Sequence, residues 1–198
     1  MLGSQYAKAV ATVLDLHKSQ MRKGGEIPYV SHLMGVSALV LKAGGSEAQA
    51  ISGLLHDSLE DQGDKITFDD LVREFGQEVA DIVLGCTDET QETRKSVSWY
   101  DRKHAYLKQL KTNPQDARLV ILADKLDNMR DMSNECLVSE GFWERFTEGY
   151  QGSTWFLSEM ASVFESWGQE SPLKGNEIAC GMIQEFLRLL DQVKSSSN

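Results

Sequence analysis

The densest chemistry in the chain lies in His56-Asp57-Ser58-Leu59-Glu60-Asp61, which follows the apolar pair Leu54-Leu55. On a helix, His56 and Glu60 are i,i+4, and so are Asp57 and Asp61, so an imidazole and three carboxylates would occupy adjacent rows of one face. Groups crowded in this way repel one another unless they share a cation or a proton. A solvated acidic helix end is the competing reading of the hexapeptide alone. His32 precedes an apolar helical face, where a lone histidine is most simply a core residue. Asp124 sits inside Leu119-Val120-Ile121-Leu122-Ala123-Asp124-Lys125-Leu126. An unpaired carboxylate buried there costs several kcal/mol or loses its charge. Either a metal ion or a Lys or Arg partner would explain it. Cys86, Cys136 and Cys180 are far apart and form no CxxC, so a metal in this chain would be held by His and carboxylate. Such a donor set suits Mn, Fe, Co or Zn better than Mg.

The elements that must position these residues read as helices throughout. Residues 5–22 place Tyr6, Ala9, Val10, Val13, Leu14 and His17 on one face, and GGEIP (24–28) breaks the pattern. A helix from about Val30 to Ala43 carries His32 and ends at Gly44-Gly45. Ser46-Glu47-Ala48-Gln49 has the form of a capping box and opens the helix that leads to His56. Thr67-Phe68-Asp69-Asp70 opens another, and FGQEVADIVLGCTD continues it. DETQETRKSVS (88–98) is polar and reads as a loop within the domain. A helix with Tyr100, Tyr106, Leu107 and Leu110 follows; Pro114 then suits the first turn of the long helix bearing Asp124. Residues 142–167 are aromatic-rich and expected to be helical, EIACGMIQEFLRLLDQV is a last amphipathic helix, and KSSSN is a frayed tail. Asn128 is i,i+4 from Asp124 and should face the same site.

The 198 residues suit one domain, 1–198, with 41% hydrophobic and 25% charged residues, the composition of a globular chain with a real core. The net charge of −10 argues against sequence-independent binding to nucleic acid or anionic membrane, which needs a basic footprint. A small polyanionic ligand remains compatible, because a metal and a few local cations reverse the local field. No apolar run approaches the roughly 18–20 residues of a membrane span. The first twenty residues lack the basic-then-apolar order of a signal peptide, so a cytoplasmic protein is the expectation.

His32, His56-Asp57 and Asp124 together resemble the H…HD…D pattern of the HD-superfamily metal-dependent phosphohydrolases. Arg22-Lys23-Gly24, Pro28-Tyr29, Leu55-His56-Asp57, Glu60-Asp61 and Leu122-Ala123-Asp124-Lys125-Leu126-Asp127-Asn128-Met129-Arg130-Asp131 narrow the resemblance to the hydrolase domain of RelA/SpoT-type alarmone enzymes, and most to the stand-alone small alarmone hydrolases. It runs from about residue 5 to 150. It implies an all-α HD-domain helical bundle with one metal, usually Mn²⁺, held by His32, His56, Asp57 and Asp124. It implies catalytic roles for Glu60 and Asp61, and nucleotide contacts from Arg22, Lys23, Asn128 and Tyr150. Lys125 and Arg130 are weaker candidates for phosphate neutralisation. His17 reads as helix packing or support behind the metal, and His104 as surface.

The activity implied is removal of the 3′-pyrophosphate of ppGpp or pppGpp. The alternatives are another nucleotide (a deoxynucleotide, a nucleoside monophosphate or NADPH), or a non-catalytic nucleotide-binding module with a structural metal. Two positions depart from the family pattern: Leu33 stands where Pro is frequent, and Asp127 where an aromatic or His is frequent. The segment 88–106 is longer than in the compact alarmone hydrolases, and Arg94, Lys95, Arg102 and Lys103 make it basic, as a lid over phosphate or a solvated loop would be. The aromatic C-terminal third raises the expectation of a homodimer.

Overall fold

The computed structural model describes residues 2–88 and 91–195. Its helices are α1 (Ser4–Leu16), α2 (Val30–Lys42), α3 (Glu47–Leu55), α4 (Ser58–Asp61), α5 (Phe68–Phe75), α6 (Gln77–Cys86), α7 (Gln91–Ser96), α8 (Trp99–Gln109), α9 (Ala117–Glu135), α10 (Gly149–Gly168) and α11 (Glu177–Ser195), with a 3₁₀ turn at Phe142–Arg145. Among the described residues there is no strand, only an isolated bridge between Met21 and Pro28. The fold is all-α, and none of these helices is long and apolar enough to cross a membrane.

The Asp124 helix is the axis of the fold. α9 packs against α2, α3, α6 and α11, so its N-terminal half is buried on nearly every side from Ala117 to Asp124. This explains the continuous apolar run around Asp124: a helix surrounded by others has no solvent face to mark. On one side of the core Leu119, Leu122, Leu126 and Met129 meet Phe156, Met160, Phe164, Met182 and Phe186. On the other, Leu33, Leu54, Leu55 and Val83 pack with Val13 of α1. The capping boxes at Ser46–Gln49 and Thr67–Asp70 are both formed.

Several boundaries differ from the sequence reading. α1 ends at Leu16 rather than near residue 22, and the bond between His17 Nδ1 and Gln20 Oε1 (2.7 Å) closes the turn that follows. Gly76, with φ +91°, separates α5 from α6, where the sequence suggests one continuing pattern. Pro114 lies in a turn ahead of α9, whose first helical residue is Ala117. The aromatic segment begins with the 3₁₀ turn and becomes α-helical only from Gly149, whose φ is +58°. The stretch read as a polar loop contains helix α7 at Gln91–Ser96, held to the body by Arg94 on Glu60 (2.9 Å). Of the tail, Lys194 and Ser195 extend α11, and 196–198 lie outside the described residues.

Candidate metal centre and nucleotide cleft

The His-Asp segment does not form one helix as its spacing suggests. α3 stops at Leu55, and Asp57 has φ −94° and ψ 1°. The cause is local competition for carbonyls. His56 Nδ1 lies 2.9 Å from Gly53 O, and Ser58 Oγ donates to Leu55 O at 2.6 Å, both at the carbonyl end of α3. The helix resumes as α4, where Asp61 N still donates to Asp57 O at 2.8 Å. This step sets His56 and Asp57 against His32 of α2 and Asp124 of α9, with Glu60 and Asp61 one turn on.

His32 of α2, His56 at the end of α3 and Asp124 of α9 offer ligand atoms that all lie within 4.8 Å of one another. His32 Nε2 is 3.3 Å and His56 Nε2 3.5 Å from Asp124 Oδ1. Asp57 Oδ2 stands 3.0 Å from His56 Nε2 and 3.8 Å from His32 Nε2. Both Nε2 atoms are buried and without a hydrogen-bond partner. Buried polar atoms are nearly always satisfied. Two imidazole nitrogens converging unsatisfied on carboxylate oxygens fit a divalent cation that would accept their lone pairs. The residues present therefore suit the metal that their pattern implies.

The electrostatics agree. Burial alone would depress both imidazoles, but the carboxylates outweigh it. His56 is raised well above its ordinary range by Asp57 and Asp124, and His32 is raised by Asp124 and Asp127. Burial would raise Asp57, yet His56 holds its carboxyl far below the usual range. Asp124 is likewise held down against burial by Lys125 and His56. The carboxylates thus keep their charge and invite positive charge, by proton or metal.

Support around these groups is extensive. Tyr29 donates its hydroxyl to Asp57 Oδ2 at 2.5 Å, and His17 stacks on the Tyr29 ring with centroids 5.5 Å apart. Asp127 Oδ2 lies 2.7 Å from His32 Nδ1, orienting the ring so that Nε2 faces inward. Gly35 makes room for this carboxylate, since a Cβ there would stand 2.7 Å from Asp127 Oδ1. Lys125 Nζ pairs with Asp124 Oδ2 at 2.7 Å, and Asn128 Nδ2 donates to Asp124 Oδ1 at 2.6 Å. Gln20, Asp88 and the Asp127 contact are not singled out by the sequence. Asp127 is one turn beyond Asp124, the one signal that could have marked it.

Glu60 and Asp61 lie at the mouth of this centre. Burial, then Asp88 and Asp57, push the Glu60 carboxyl up to about 8. Asp61 is raised by burial and by Asp57, and accepts from Gln20 Nε2 at 2.7 Å. Arg94 reaches both, at 2.9 Å and 3.7 Å. Asp88 pairs with Lys103 just behind.

Next to Asp61 opens a cleft of about 460 Å³ whose walls include Arg22, Lys23, Tyr29 and Asn128, with Phe142 and Phe146 opposite. Arg22 Nη2 donates to Asn128 Oδ1 and to Asp131 Oδ2, both at 2.8 Å, with its guanidinium 5.7 Å from the Tyr29 ring centroid. Arg22, Asn128 and Asp124 therefore form one hydrogen-bonded line from cleft to metal centre. Tyr150 is not brought to it: its hydroxyl donates to Lys194 O at 3.3 Å, its ring meets Trp143, and it does not line the cleft. Arg130 is engaged elsewhere, bidentate to Glu185 at 2.8 Å on both nitrogens. His104 is exposed against Trp155.

The HD-domain family model matches residues 9–140. A Xenopus tropicalis protein named guanosine-3′,5′-bis(diphosphate) 3′-pyrophosphohydrolase MESH1 is 36% identical over 137 residues, 68% of this chain and 72% of that protein. The Mus musculus protein of the same name is 31% identical over 178 residues, covering 83% of this chain and 96% of that one. A solved structure described as a metazoan ortholog of SpoT that hydrolyzes ppGpp superposes with a TM-score of 0.73 at 25% identity, over 95% of this chain and 96% of its own. The chain belongs to the HD-domain family, with MESH1- and SpoT-type proteins as its relatives.

Proposed function

We propose that this protein is a metal-dependent hydrolase that removes pyrophosphate from the 3′ position of ppGpp or pppGpp, leaving GDP or GTP. The observation that carries the reading is the unsatisfied His32 and His56 Nε2 pair facing Asp124, joined by Asn128 to an Arg-lined cleft of nucleotide size. The names of the MESH1 relatives support the substrate. His32, His56, Asp57 and Asp124 would hold the metal; their donor types suit Mn, Fe, Co or Zn, and the family resemblance is what points to Mn²⁺ among these. Bound there, the cation supplies Lewis-acid polarisation of a phosphoryl oxygen and a more acidic water.

The chain's own residues then divide the work. Arg22 presents a planar cation on which a purine stacks, and Asn128, hydrogen-bonded to Arg22 and to Asp124, stands between the two to meet the sugar. Water adds to the phosphorus attached to O3′, the P–O3′ bond breaks, and O3′ takes a proton as pyrophosphate leaves. Glu60, protonated up to about pH 8, is suited to give that proton, and Asp61, held by Gln20, to take one from the attacking water. Arg94 and Lys23 offset the charge of the phosphates. The proposal includes a cytoplasmic location and a homodimer; exposed Leu137 and Val138 are apolar surface available for the latter.

The test is pyrophosphate and phosphate release with Mn²⁺ from ppGpp, pppGpp, deoxynucleotides, nucleoside monophosphates and NADPH, with Asp57→Ala as control. Pyrophosphate from ppGpp, lost in the variant, is the expected result. Silence on ppGpp with turnover of another nucleotide overturns the substrate and leaves the metal chemistry. Sedimentation velocity reads the oligomeric state.

A further inference from the structure

In the turn between α1 and α2 the Gln20 side chain holds three partners at once. Its Nε2 donates to Asp61 Oδ2 at 2.7 Å, while its Oε1 accepts from Gln62 Nε2 at 2.8 Å and lies 2.7 Å from His17 Nδ1. Gln62 is itself pinned, because its Oε1 accepts from Lys65 Nζ at 2.6 Å and an ammonium group only donates. Gln62 therefore offers Gln20 its nitrogen. These contacts leave the Gln20 amide one orientation. Reversed, it would set oxygen against the Asp61 carboxylate and nitrogen against the Gln62 donor. The Gln20 backbone is fixed as well: its N donates to His17 O at 3.0 Å, and its O accepts from Tyr29 N at 2.9 Å.

The state of His17 follows. Facing an oxygen, Nδ1 carries the proton, and in a neutral ring the lone pair then sits on Nε2. His17 is 3% exposed, and burial lowers its pKa below the ordinary histidine value. Gln20, Asp57 and Asp61 oppose that shift without reversing it. Nε2 is buried and has no hydrogen-bond partner among the described residues. That leaves a buried acceptor unsatisfied, a loss that an apolar side chain packed in the same place would not incur. What the imidazole adds is its Nδ1–H bond to Gln20. Its ring lies flat on Tyr29, with the planes 19° apart, so the Nδ1–H direction is set by packing.

Asp61 is the last residue of α4, a helix of only four residues. A second contact of its carboxylate, to the half-exposed Arg94, is 3.7 Å long. The Gln20 amide is thus the short, oriented bond that holds Asp61. We propose that His17 is a positioning residue for the reaction: as the Nδ1–H tautomer it locks the Gln20 amide, which in turn holds the Asp61 carboxylate where it takes the proton of the attacking water. The role rests on the reading of Asp61 given above. A carboxylate free to swing spends less time in the reactive geometry, so the loss falls on turnover and not on nucleotide binding.

The experiment exploits the two nitrogens. Asn places its amide nitrogen where His carries Nδ1, and Gln places it where His carries Nε2. His17→Gln should lower kcat by about 10–100-fold with KM within about twofold of wild type, whereas His17→Asn should stay within about threefold in both. Gln20→Ala should lower kcat as His17→Gln does, and the double variant should fall no further, because both act through one link. Melting curves confirm that each variant is folded. Independently of activity, nitrogen-15 spectra of the metal-free protein, labelled at histidine and assigned with His17→Asn, should show His17 as the Nδ1–H tautomer. That preference should be lost in Gln20→Ala. An Nε2–H tautomer in wild type overturns the proposal, and so do equal kcat values in folded His17→Asn and His17→Gln, or losses that add in the double variant. A wild type silent on every nucleotide of the panel overturns the proposed reaction and this role together, whereas an active wild type with the wrong variant pattern overturns this role alone.

Discussion

Asp127 holds His32 from behind: its Oδ2 lies 2.7 Å from Nδ1, on the opposite side of the ring from the Nε2 that faces Asp124. The carboxylate fixes the tautomer that leaves Nε2 with a lone pair and makes the imidazole a better donor. Asp127→Asn should therefore weaken Mn²⁺ binding by about 10–100-fold while the fold persists. Gly35→Ala should act in the same direction, because the new methyl group displaces the Asp127 carboxylate. Metal titration of both variants checks this; affinity equal to wild type in Asp127→Asn would show that the contact does not tune the metal.

Metal removal should cost stability as well as activity. The candidate ligands come from α2, the end of α3 and α9, so a bound ion ties three packed helices together. A ligand at 100 times its Kd stabilises by about 2.7 kcal/mol. In a chain of this size that corresponds to a Tm drop of about 5–10 °C on adding EDTA. An unchanged melting curve would mean that no tightly held ion bridges the helices.

Glu60 makes the metal-free protein sensitive to pH in a definite direction. Its carboxyl is raised from 4.5 to about 8 in the folded state. Below pH 4.5 it is protonated folded and unfolded alike. From there to pH 8 the unfolded chain gives up its proton while the folded one keeps it, so the group subtracts stability progressively across that window and by a constant amount above it. Glu60→Gln should raise the Tm of the metal-free protein at pH 8.5 by about 10 °C and leave it unchanged at pH 4. Loss of the half-exposed Arg94 pair works against this gain, but such pairs are worth about 0–1 kcal/mol. In the loaded enzyme the same variant should lower kcat by about 10²–10⁴ with little change in KM.

Arg22 and Asn128 should separate in their effects although they touch. Arg22 contacts the cleft and Asn128, so Arg22→Ala should raise KM by about 10–100-fold and leave metal affinity intact. Asn128 also donates to the Asp124 oxygen nearest both histidines, so Asn128→Ala should raise KM and weaken Mn²⁺ binding together. Equal metal affinity in the two variants would contradict the line from Arg22 through Asn128 to Asp124.

The helical class and the capping boxes at Ser46 and Thr67 are legible because each leaves a local mark, whereas the grouping of His32, His56, Asp57 and Asp124 is legible only through the family pattern. Those marks are apolar periodicity and a Ser or Thr three residues before its partner; an acid in an apolar run marks Asp124 alone. Of the residues expected as nucleotide contacts, Arg22, Lys23 and Asn128 line one cleft. Tyr150 fails to join them because the turn at Gly149 and the bond to Lys194 O carry it toward α11. The break at Asp57 escapes a periodicity argument, since it depends on side chains that take the carbonyls at the end of α3.

Composition and periodicity by themselves determine an all-α chain, because helix formation is a property of residues and near neighbours; the ligand set His32, His56, Asp57 and Asp124 comes from the family resemblance, not from those local properties. Tertiary structure alone decides that Asp127 belongs to His32, Gln20 to Asp61 and Arg94 to Glu60, residues that are 95, 41 and 34 positions apart. Such pairings are set by the way α9 packs among α2, α3 and α6, and by where α7 comes to rest. Interactions between helices fix those placements, and no stretch of chain encodes them locally.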